Sequence, residues 1–353
     1  MLNKRGGAMA SGPDLPIRGF ADSARSIDLN GIAEATFLKT AEVGLKHARA
    51  NRRYVRQTIA ELSDGPWRGR PAIVVSAGPS LHRQQIAEQI RKSGFAGTIV
   101  ATDGALGYCL RNGVVPDFVV SVDPHPTRIV RWFGDTELHR RPPDGYFRRQ
   151  DLDPHLMEKE RQRNRELIAL TDQYASRVRA ILSTSVAPSV TRRVRQSGMP
   201  MYWWNPIYDN YDAPVSHTRR IYELTKAPCL VTGGNCGTVA WVFAGAVLGA
   251  TDVAVTGMDL SYPPDTPLQH TQYYPEMKKL FGDRAEDYYI RLKNPHLAEC
   301  WYTDPTYWWY RESFLALAQK ARFKTYNCTG GGILFGPRVR WTSLSRFLQK
   351  RSG

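Results

Sequence analysis

The chain has little of several features that define common protein classes. Its 353 residues include only five cysteines, and none of them stands in a C-x-x-C or zinc-finger spacing, so neither disulfides nor a structural zinc site is expected. The longest apolar run, residues 239–250, has 12 residues and is too short to cross a bilayer. No apolar signal-peptide core is visible near the N-terminus. These absences predict a cytoplasmic protein with free thiols.

Acidic residues are scarce relative to basic ones. The chain has 33 Asp and Glu against 48 Lys and Arg, a formal net charge of +15. Such a surplus attracts nucleic acids, anionic lipids and phosphorylated substrates through its long-range field. The basic residues are scattered, however, and no helix-turn-helix, zinc-finger or RNA-recognition signature accompanies them. Specific nucleic-acid binding is therefore not expected, and peripheral membrane contact is an alternative to a solvated basic surface.

Length and composition favour a globular α/β protein. The hydrophobic share of 42% supports a substantial core, in one large domain with insertions or in two domains. Residues 1–66 are predicted to form an N-terminal tail and an amphipathic helix. Residues 67–350 are predicted to form the nucleotide-binding catalytic domain, with insertions near 128–175 and 261–305.

Three short apolar runs, residues 72–75, 98–101 and 118–121, alternate with helical patterns. Strands separated by helices need right-handed crossovers and form a parallel sheet, so their ends open on one edge, where ligands bind. We therefore predict an α/β fold, Rossmann-like and doubly wound, with a mainly parallel sheet, helices on both faces and loop-rich insertions.

A tight turn follows the first predicted strand. Gly78 supplies a backbone without a side chain, Pro79 restricts φ, and Ser80 is suited to cap the following helix. A strand, a glycine turn and a helix N-terminus together form an anion site. Ser76, Gly78, Pro79 and Ser80 are therefore predicted to contact a nucleotide.

Carboxylates mark the ends of the next two strands. Asp103 and Gly104 follow the second strand, Asp123 follows the third, and Asp117 stands just ahead of the third. Carboxylates at this edge suit a hard divalent cation or ribose hydroxyls. Asp103, Gly104 and Asp123 are predicted nucleotide contacts. Asp103, Asp117 and Asp123 are predicted Mg²⁺ ligands only if the chain transfers a diphosphate from ATP.

A second glycine turn precedes another helix. Gly233, Gly234 and Asn235 stand before a helical run of small residues, and a later strand over residues 252–257 leads to Asp259. Backbone N–H groups at a helix start favour anions. This signal is weak alone, but it repeats the arrangement seen at Gly78.

The motifs GPSL, IVATDGAL and NGVVPDFVVSVDP resemble a known domain. It is shared by archaeal 6-hydroxymethylpterin diphosphokinase, called MptE-like, and by the bacterial motility accessory factors of the flagellin glycosyltransferase branch. The middle motif also resembles thiamine pyrophosphokinase, whose similarly arranged acidic residues handle ATP and magnesium. By position, the resemblance implies pocket roles for Gly233, Gly234, Asn235, Gly237, Thr238 and Asp259.

The chain also departs from the family pattern. Ser76 stands where the family often has glycine, and residues 122–125 read Val-Asp-Pro-His instead of the acidic run of the pyrophosphokinases. One acidic residue fewer weakens the case for diphosphoryl transfer, in which magnesium must neutralise charge on the migrating group.

Candidate catalytic residues are two histidines and one aspartate. His125 directly follows Asp123-Pro124, and His270 stands where bacterial members of the resembled family have a histidine. Histidine is suited to move protons near neutral pH, although a surface role is the alternative for either residue. Asp259 is the third candidate, because a carboxylate past a strand end is expected to be exposed.

Three functions stay open at this point. The favoured one is a nucleotide-sugar-dependent glycosyltransferase that uses no tightly bound cofactor. The resemblance implies a CMP-linked nonulosonic, sialic-acid-like donor and a protein or glycan hydroxyl as acceptor, flagellin included. The alternatives are a Mg-ATP-dependent diphosphokinase acting on a hydroxymethylpterin-like alcohol, and a nucleotide-binding protein without catalysis. Fold alone does not separate them.

Overall fold

The computed structural model describes residues 29–141 and 156–351, with side chains described for 40–141 and 160–351. Most of the predicted N-terminal tail and the centre of the insertion near 128–175 lie outside these residues. Among the helices within the described ranges, none has the length and apolar character needed to cross a membrane.

A nine-stranded parallel sheet forms the centre of the fold, in the order β11-β10-β7-β1-β2-β3-β4-β5-β6. A separate antiparallel pair, β8 and β9, lies within residues 290–303. The prediction of a Rossmann-like, mainly parallel sheet is confirmed. The strands are β1 (Ala72–Val75), β2 (Thr98–Thr102), β3 (Phe118–Ser121), β4 (Arg179–Ser183), β5 (Met201–Pro206), β6 (Cys229–Leu230), β7 (Asp252–Thr256), β8 (Ile290–Lys293), β9 (Cys300–Thr303), β10 (Lys324–Asn327) and β11 (Val339–Trp341).

Helices connect the strands and cover the sheet. They are α1 (Leu29–Asn51), α2 (Ser80–Arg83), α3 (Ile86–Ser93), α4 (Asp103–Arg111), α5 (Leu156–Tyr174), α6 (Pro188–Ser197), α7 (His217–Thr225), α8 (Cys236–Val242), α9 (Tyr274–Phe281), α10 (Pro305–Lys320) and α11 (Leu344–Gln349). Helix α8 continues as a π-helical turn over Phe243–Val247.

Strand β1 shows why the apolar run at its position forms a central strand. Alternate side chains enter different clusters: Val74 packs with Val239 of α8 on one face, and Ile73 packs with Ile86 of α3 on the other. All four residues of β1 are fully buried. A strand covered by helices on both faces needs a continuous apolar sequence, which is what residues 72–75 provide.

The side of the sheet on which successive strands are added changes at β1. Strands β2 to β6 are added on one side of β1, whereas β7, β10 and β11 are added on the other. Ala72 of β1 therefore pairs with both Thr98 of β2 and Val253 of β7. A topological switch point lies between β1 and β7, and ligands bind outside the strand ends at such points in open α/β sheets.

The region predicted as a loop-rich insertion, 261–305, contains helix α9 and the β8–β9 pair. A buried cluster of Tyr262, Tyr289 and Tyr302 holds it together. The Tyr262 hydroxyl donates to Oδ2 of Asp304 at 2.6 Å, and Oδ1 of Asp304 caps the start of α10. The insertion is thereby joined to a helix that packs on the sheet.

Helix α1 is joined to the sheet through Asn51, which is fully buried. Its side-chain amide donates to the carbonyls of Thr184 and Val186, both at 2.9 Å, and its Oδ1 accepts from the Thr191 hydroxyl at 2.8 Å. One side chain thus satisfies two carbonyls of the loop after β4 and a hydroxyl of α6.

We expect Asn51→Ala to lower the free energy of unfolding by about 2–4 kcal/mol, because it leaves buried polar groups without partners. Urea denaturation measures the change. Asn112→Ala is the matched control, since the exposed Asn112 makes only a local bond to the Tyr108 carbonyl. Equal, small effects of the two substitutions would contradict this role of Asn51.

Candidate functional site

The turn after β1 packs directly against the residue that follows β7. The Gly78 N–H donates to the Gly257 carbonyl at 2.8 Å. A Cβ atom on Gly78 would lie 2.2 Å from Oδ2 of Asp259, closer than any real contact permits. Gly78 is therefore required because the Asp259 carboxylate occupies the space of a side chain.

The anion site predicted at this turn is already filled by the protein's own carboxylate. Oδ2 of Asp259 accepts from the Ser80 hydroxyl at 2.7 Å and lies 3.4 Å from the Ser80 N–H. Helix α2 is a single four-residue turn, and Pro79, not Ser80, is its N-cap residue. The Gly78 and Ser80 amides, which were predicted to bind phosphate, face acceptors of the protein itself in this structure, because β7 lies beside β1 and brings Gly257 and Asp259 to those groups.

Asp259 is buried, with 2% of its surface exposed, which corrects the expectation of an exposed carboxylate. Its Oδ1 lies 3.6 Å from Nη2 of Arg83 and accepts no hydrogen bond from any described residue. Burial raises the pKa of Asp259 to about 6, even though Ser80 and Arg83 favour the charged form. The protein thus holds a carboxyl group that titrates close to neutral pH.

Glycines from the segment after β10 enclose Asp259 from the other side. A Cβ on Gly331 would lie 3.4 Å from Oδ1 of Asp259 and 2.9 Å from the Trp301 ring. Gly332 has a φ of +78°, and a Cβ there would clash with the Asp259 backbone. These glycines thus allow the backbone after β10 to approach Asp259 closely.

Asp103 lies at the carboxyl end of β2. Its Oδ2 accepts from the Ser121 hydroxyl and its Oδ1 from the Gly104 N–H, both at 2.7 Å. Burial raises its pKa to about 6, and the negative charge of Asp123 acts in the same direction. Asp103 therefore connects the ends of β2 and β3 and titrates close to neutral pH.

Asp123 and His125 follow β3 and lie at the same edge. Asp123 is exposed, and its Oδ1 accepts from the His125 N–H at 2.7 Å. Nδ1 of His125 lies 3.3 Å from the Thr127 N–H and 3.2 Å from the Arg128 N–H. Because Nδ1 accepts from backbone donors, the proton of neutral His125 lies on Nε2.

Asp117 lies at the opposite edge of the sheet. It precedes the first residue of β3, and its Oδ2 accepts from the Ile99 N–H at 2.8 Å. The four-residue length of β3, roughly 13 Å at 3.3 Å per residue, separates it from Asp123. The predicted Mg²⁺ ligand set of Asp103, Asp117 and Asp123 is therefore wrong. Within residues 29–141 and 156–351, no group of three His, Cys, Asp or Glu residues is arranged to hold a metal ion.

The second glycine turn has positive φ values, +55° at Gly233 and +83° at Gly234. Oδ1 of Asn235 accepts from the Thr238 N–H at 2.9 Å and caps α8, while its amide donates to the Thr238 hydroxyl. The side chains of Asn235 and Thr238 therefore shape the turn. Any contact of this segment with a ligand depends on its backbone and its glycines.

The turns meet one another at this edge. A Cβ on Gly237 would lie 2.8 Å from the Ser76 hydroxyl oxygen, and a Cβ on Gly104 would lie 2.9 Å from Ala77. The Ser76 hydroxyl is buried and has no hydrogen-bond partner among the described residues. We call residues 76–80, 103–104, 123–125, 233–238 and 259 the carboxyl-edge cluster.

Two members of this neighbourhood were missed by sequence reasoning. The Cys236 thiol donates to the Val120 carbonyl at 3.1 Å and interacts with the Asp103 carboxyl group. The Arg83 guanidinium lies beside Asp259 and stacks over the Trp301 ring at 5.1 Å, while 43% of its side chain remains exposed. Arg83 is one turn after the recognised glycine motif, a position that would have suggested a cation near a bound phosphate.

His270 lies apart from these contacts. It is exposed and ends a short 3₁₀ turn over Leu268–His270, in the inserted region. Among the described residues, no hydrogen bond or ring contact joins its side chain to the carboxyl-edge cluster. His125 is thus the histidine candidate that the fold places beside the aspartates.

The raised pKa of Asp259 predicts how stability depends on pH. The folded state retains a proton that the unfolded state has lost, so stability falls as pH rises from about 4 through 6. Between pH 4 and 7, we expect the unfolding free energy of Asp259→Asn to fall by about 1–3 kcal/mol less than that of the unaltered protein. Denaturant titrations between pH 4 and 7 measure it. Asp64→Asn, at a side chain 90% exposed, is the control, and an unchanged slope in Asp259→Asn would contradict the prediction.

Comparison with known proteins gives two sequence matches. The family described as "6-hydroxymethylpterin diphosphokinase MptE-like" matches residues 46–136, the segment that contains β1, β2, β3 and the turns that follow them. An uncharacterized protein of Treponema pallidum (strain Nichols) is 43% identical over 53 residues, which are 15% of this chain and 24% of that protein.

A solved structure has a similar fold. The MAf glycosyltransferase from Magnetospirillum magneticum AMB-1 matches with a TM-score of 0.54 and 15% identity, over 89% of this chain and 41% of that one. The chain therefore spans less than half the length of the relatives it matches. The expected resemblance is confirmed: residues 46–136 carry the MptE-like segment, within a fold that is shared with the MAf glycosyltransferase.

Proposed function

We propose that this protein is a nucleotide-sugar-dependent glycosyltransferase whose donor binds at the carboxyl-edge cluster. The observation that carries the proposal is the meeting of Asp103, Asp123, His125 and two glycine turns at the carboxyl edge of a parallel sheet, beside its switch point. Nucleotides bind at such points because several strand ends present polar groups to one crevice. The fold shared with a MAf glycosyltransferase supports this choice among transferases.

The donor phosphate needs partners other than the Gly78 and Ser80 amides, since these are engaged within the protein. The buried Ser76 hydroxyl has no hydrogen-bond partner among the described residues and is suited to donate to a phosphate oxygen. The exposed side of Arg83 supplies positive charge, which stabilises a departing nucleotide phosphate. The exposed Asp123 is suited to accept from ribose hydroxyls.

The protonation of His125 favours one catalytic role. Since Nδ1 accepts from two backbone amides, Nε2 carries the proton and donates a hydrogen bond to the leaving phosphate, whose oxygen is free to take up the proton of the acceptor hydroxyl. The sequence resemblance supports CMP-linked nonulosonic acid as the donor and a protein or glycan hydroxyl, such as that of flagellin, as the acceptor.

The diphosphokinase alternative rests on the MptE-like match and on the neighbouring Asp103 and Asp123. It requires Mg-ATP, whose phosphates need several carboxylates to hold the metal. Asp117, the third carboxylate that the diphosphokinase function required, lies at the other edge of the sheet and is too far away to share a metal ion with Asp103 and Asp123. The donor panel described next separates the two functions.

We expect CMP to raise the melting temperature by several degrees without Mg²⁺, with little effect of UDP, GDP or ATP. Thermal unfolding measures the shift. Asp103→Asn should abolish it, and Asp117→Asn, which alters a carboxylate at the opposite edge, should leave it unchanged. A response only to ATP with Mg²⁺ would replace the glycosyltransferase by the diphosphokinase.

We expect His125→Ala to lower the turnover of a CMP-activated nonulosonic acid about 100-fold or more, because it removes the hydrogen-bond donor that stabilises charge on the leaving phosphate. Release of CMP in steady-state assays measures turnover. His270→Ala is the control and should change turnover less than about threefold. Equal rates in both variants would show that neither histidine takes part, whereas no CMP release by the unaltered protein would favour nucleotide binding without catalysis.

A further inference from the structure

An open surface depression lined by exposed arginines, here called the basic cavity, lies at the other edge of the sheet, away from the carboxyl-edge cluster. Its volume is about 530 Å³, and its lining residues are Arg53, Tyr54, Arg56, Arg195 and Met201. Met201 is the first residue of β5, and the backbone N–H of Trp203 in that strand donates to the Gln57 carbonyl at 3.0 Å. The segment after α1 therefore runs beside the amino end of β5, whereas the aspartates and His125 follow strand carboxyl ends.

Two of the three guanidinium groups are held over one aromatic ring. The Cζ atom of Arg53 lies 4.8 Å from the centroid of Tyr54, and that of Arg195 lies 4.5 Å from the same centroid. Cation–π contacts of this kind orient a guanidinium without neutralising its charge. Both guanidinium groups are thus positioned at this ring before any ligand binds, which lowers the entropy cost of binding an anion.

The cavity arginines lack the acidic partners that neighbouring arginines have. On the same helix α6, Arg192 pairs with Glu137 at 3.2 Å and Arg193 pairs with Asp172 at 2.8 Å. Across the described parts of the chain, Arg53, Arg56 and Arg195 form no ion pair with a carboxylate. Three positive charges around one concave space, without a carboxylate partner among the described side chains, attract an anion more strongly than paired surface arginines do.

We infer that this cavity is a second ligand site, which binds a phosphate-bearing molecule independently of the proposed sugar-nucleotide site. Arginine forms paired, charge-assisted hydrogen bonds with phosphate oxygens, and three arginines provide enough donors for a phosphomonoester or a diphosphate. The volume lies within the range of small-molecule sites, and Tyr54 and Met201 give one wall apolar surface for the remainder of the ligand. The phosphate belongs either to a soluble metabolite or to a lipid headgroup.

The test compares binding of pyrophosphate by calorimetry in the full chain and in two double variants. Arg53→Gln with Arg195→Gln removes two cavity charges, and we expect it to weaken binding about tenfold or more. Arg192→Gln with Arg220→Gln is the matched control, because it removes the same net charge from arginines paired with Glu137 and Glu42. The control should bind pyrophosphate within about twofold of the unaltered protein.

A second arm identifies the source of the phosphate. Co-sedimentation is measured with phosphatidylglycerol vesicles and, for comparison, with phosphatidylcholine vesicles. A lipid headgroup is supported if the protein sediments with phosphatidylglycerol only, and if the cavity variant loses this binding while the control variant keeps it. Pyrophosphate binding without vesicle binding supports a soluble ligand. Equal weakening in both double variants, or no saturable binding of either probe, would overturn the proposal. Circular dichroism checks that each variant is folded.

Discussion

The contact between the Asp259 carboxylate and the turn after β1 is the constraint on which the rest of the site depends. A buried carboxylate is costly unless hydrogen bonds and a nearby cation compensate it. Here the Ser80 hydroxyl and Arg83 provide that compensation. The space required by the carboxylate explains why glycine stands at 78, and its backbone explains the glycine at 332. Asp259 thereby holds together the segments that follow β1, β7 and β10.

A second buried carboxylate has a similar effect one strand further along. Asp103 takes hydrogen bonds from the residue after it and from Ser121 at the end of β3. Its position fixes how the ends of β2 and β3 lie relative to each other, and so where Asp123 and His125 are presented. Both buried carboxyl groups have pKa values of about 6, because burial disfavours their charged forms. The electrostatic state of the cluster therefore responds to pH near neutrality and to any charge that a ligand brings.

The two edges of the sheet differ in electrostatic character. Carboxylates gather where the strands β2, β3 and β7 end, whereas arginines that pair with no carboxylate of the described residues surround the cavity near the start of β5. Part of the protein's surplus of positive charge is therefore concentrated at one place, around this cavity. This separation allows one sheet to serve two different ligands, since each edge is built from different loops.

The sequence by itself determined the local elements of this fold and the positions of its turns. Continuous apolar runs identified β1, β2 and β3, and glycine and aspartate marked the turns that follow, because strand burial and turn geometry depend on neighbouring residues. It also indicated that the turns after Val75, Thr102 and Ser121 share an edge, as parallel strands require.

Only the tertiary structure decided which groups are in contact. Alternation along the chain does not reveal that β7 lies beside β1, so the partner of Ser80 and the burial of Asp259 were not foreseeable. Asp117 was grouped with Asp103 and Asp123 because it is close in sequence, yet the direction of β3 places it at the opposite edge. The roles of Cys236 and Arg83, and the cavity around Tyr54, likewise arise from packing between distant segments. Sequence spacing reports the order of elements, whereas the site depends on how strands are arranged across the sheet.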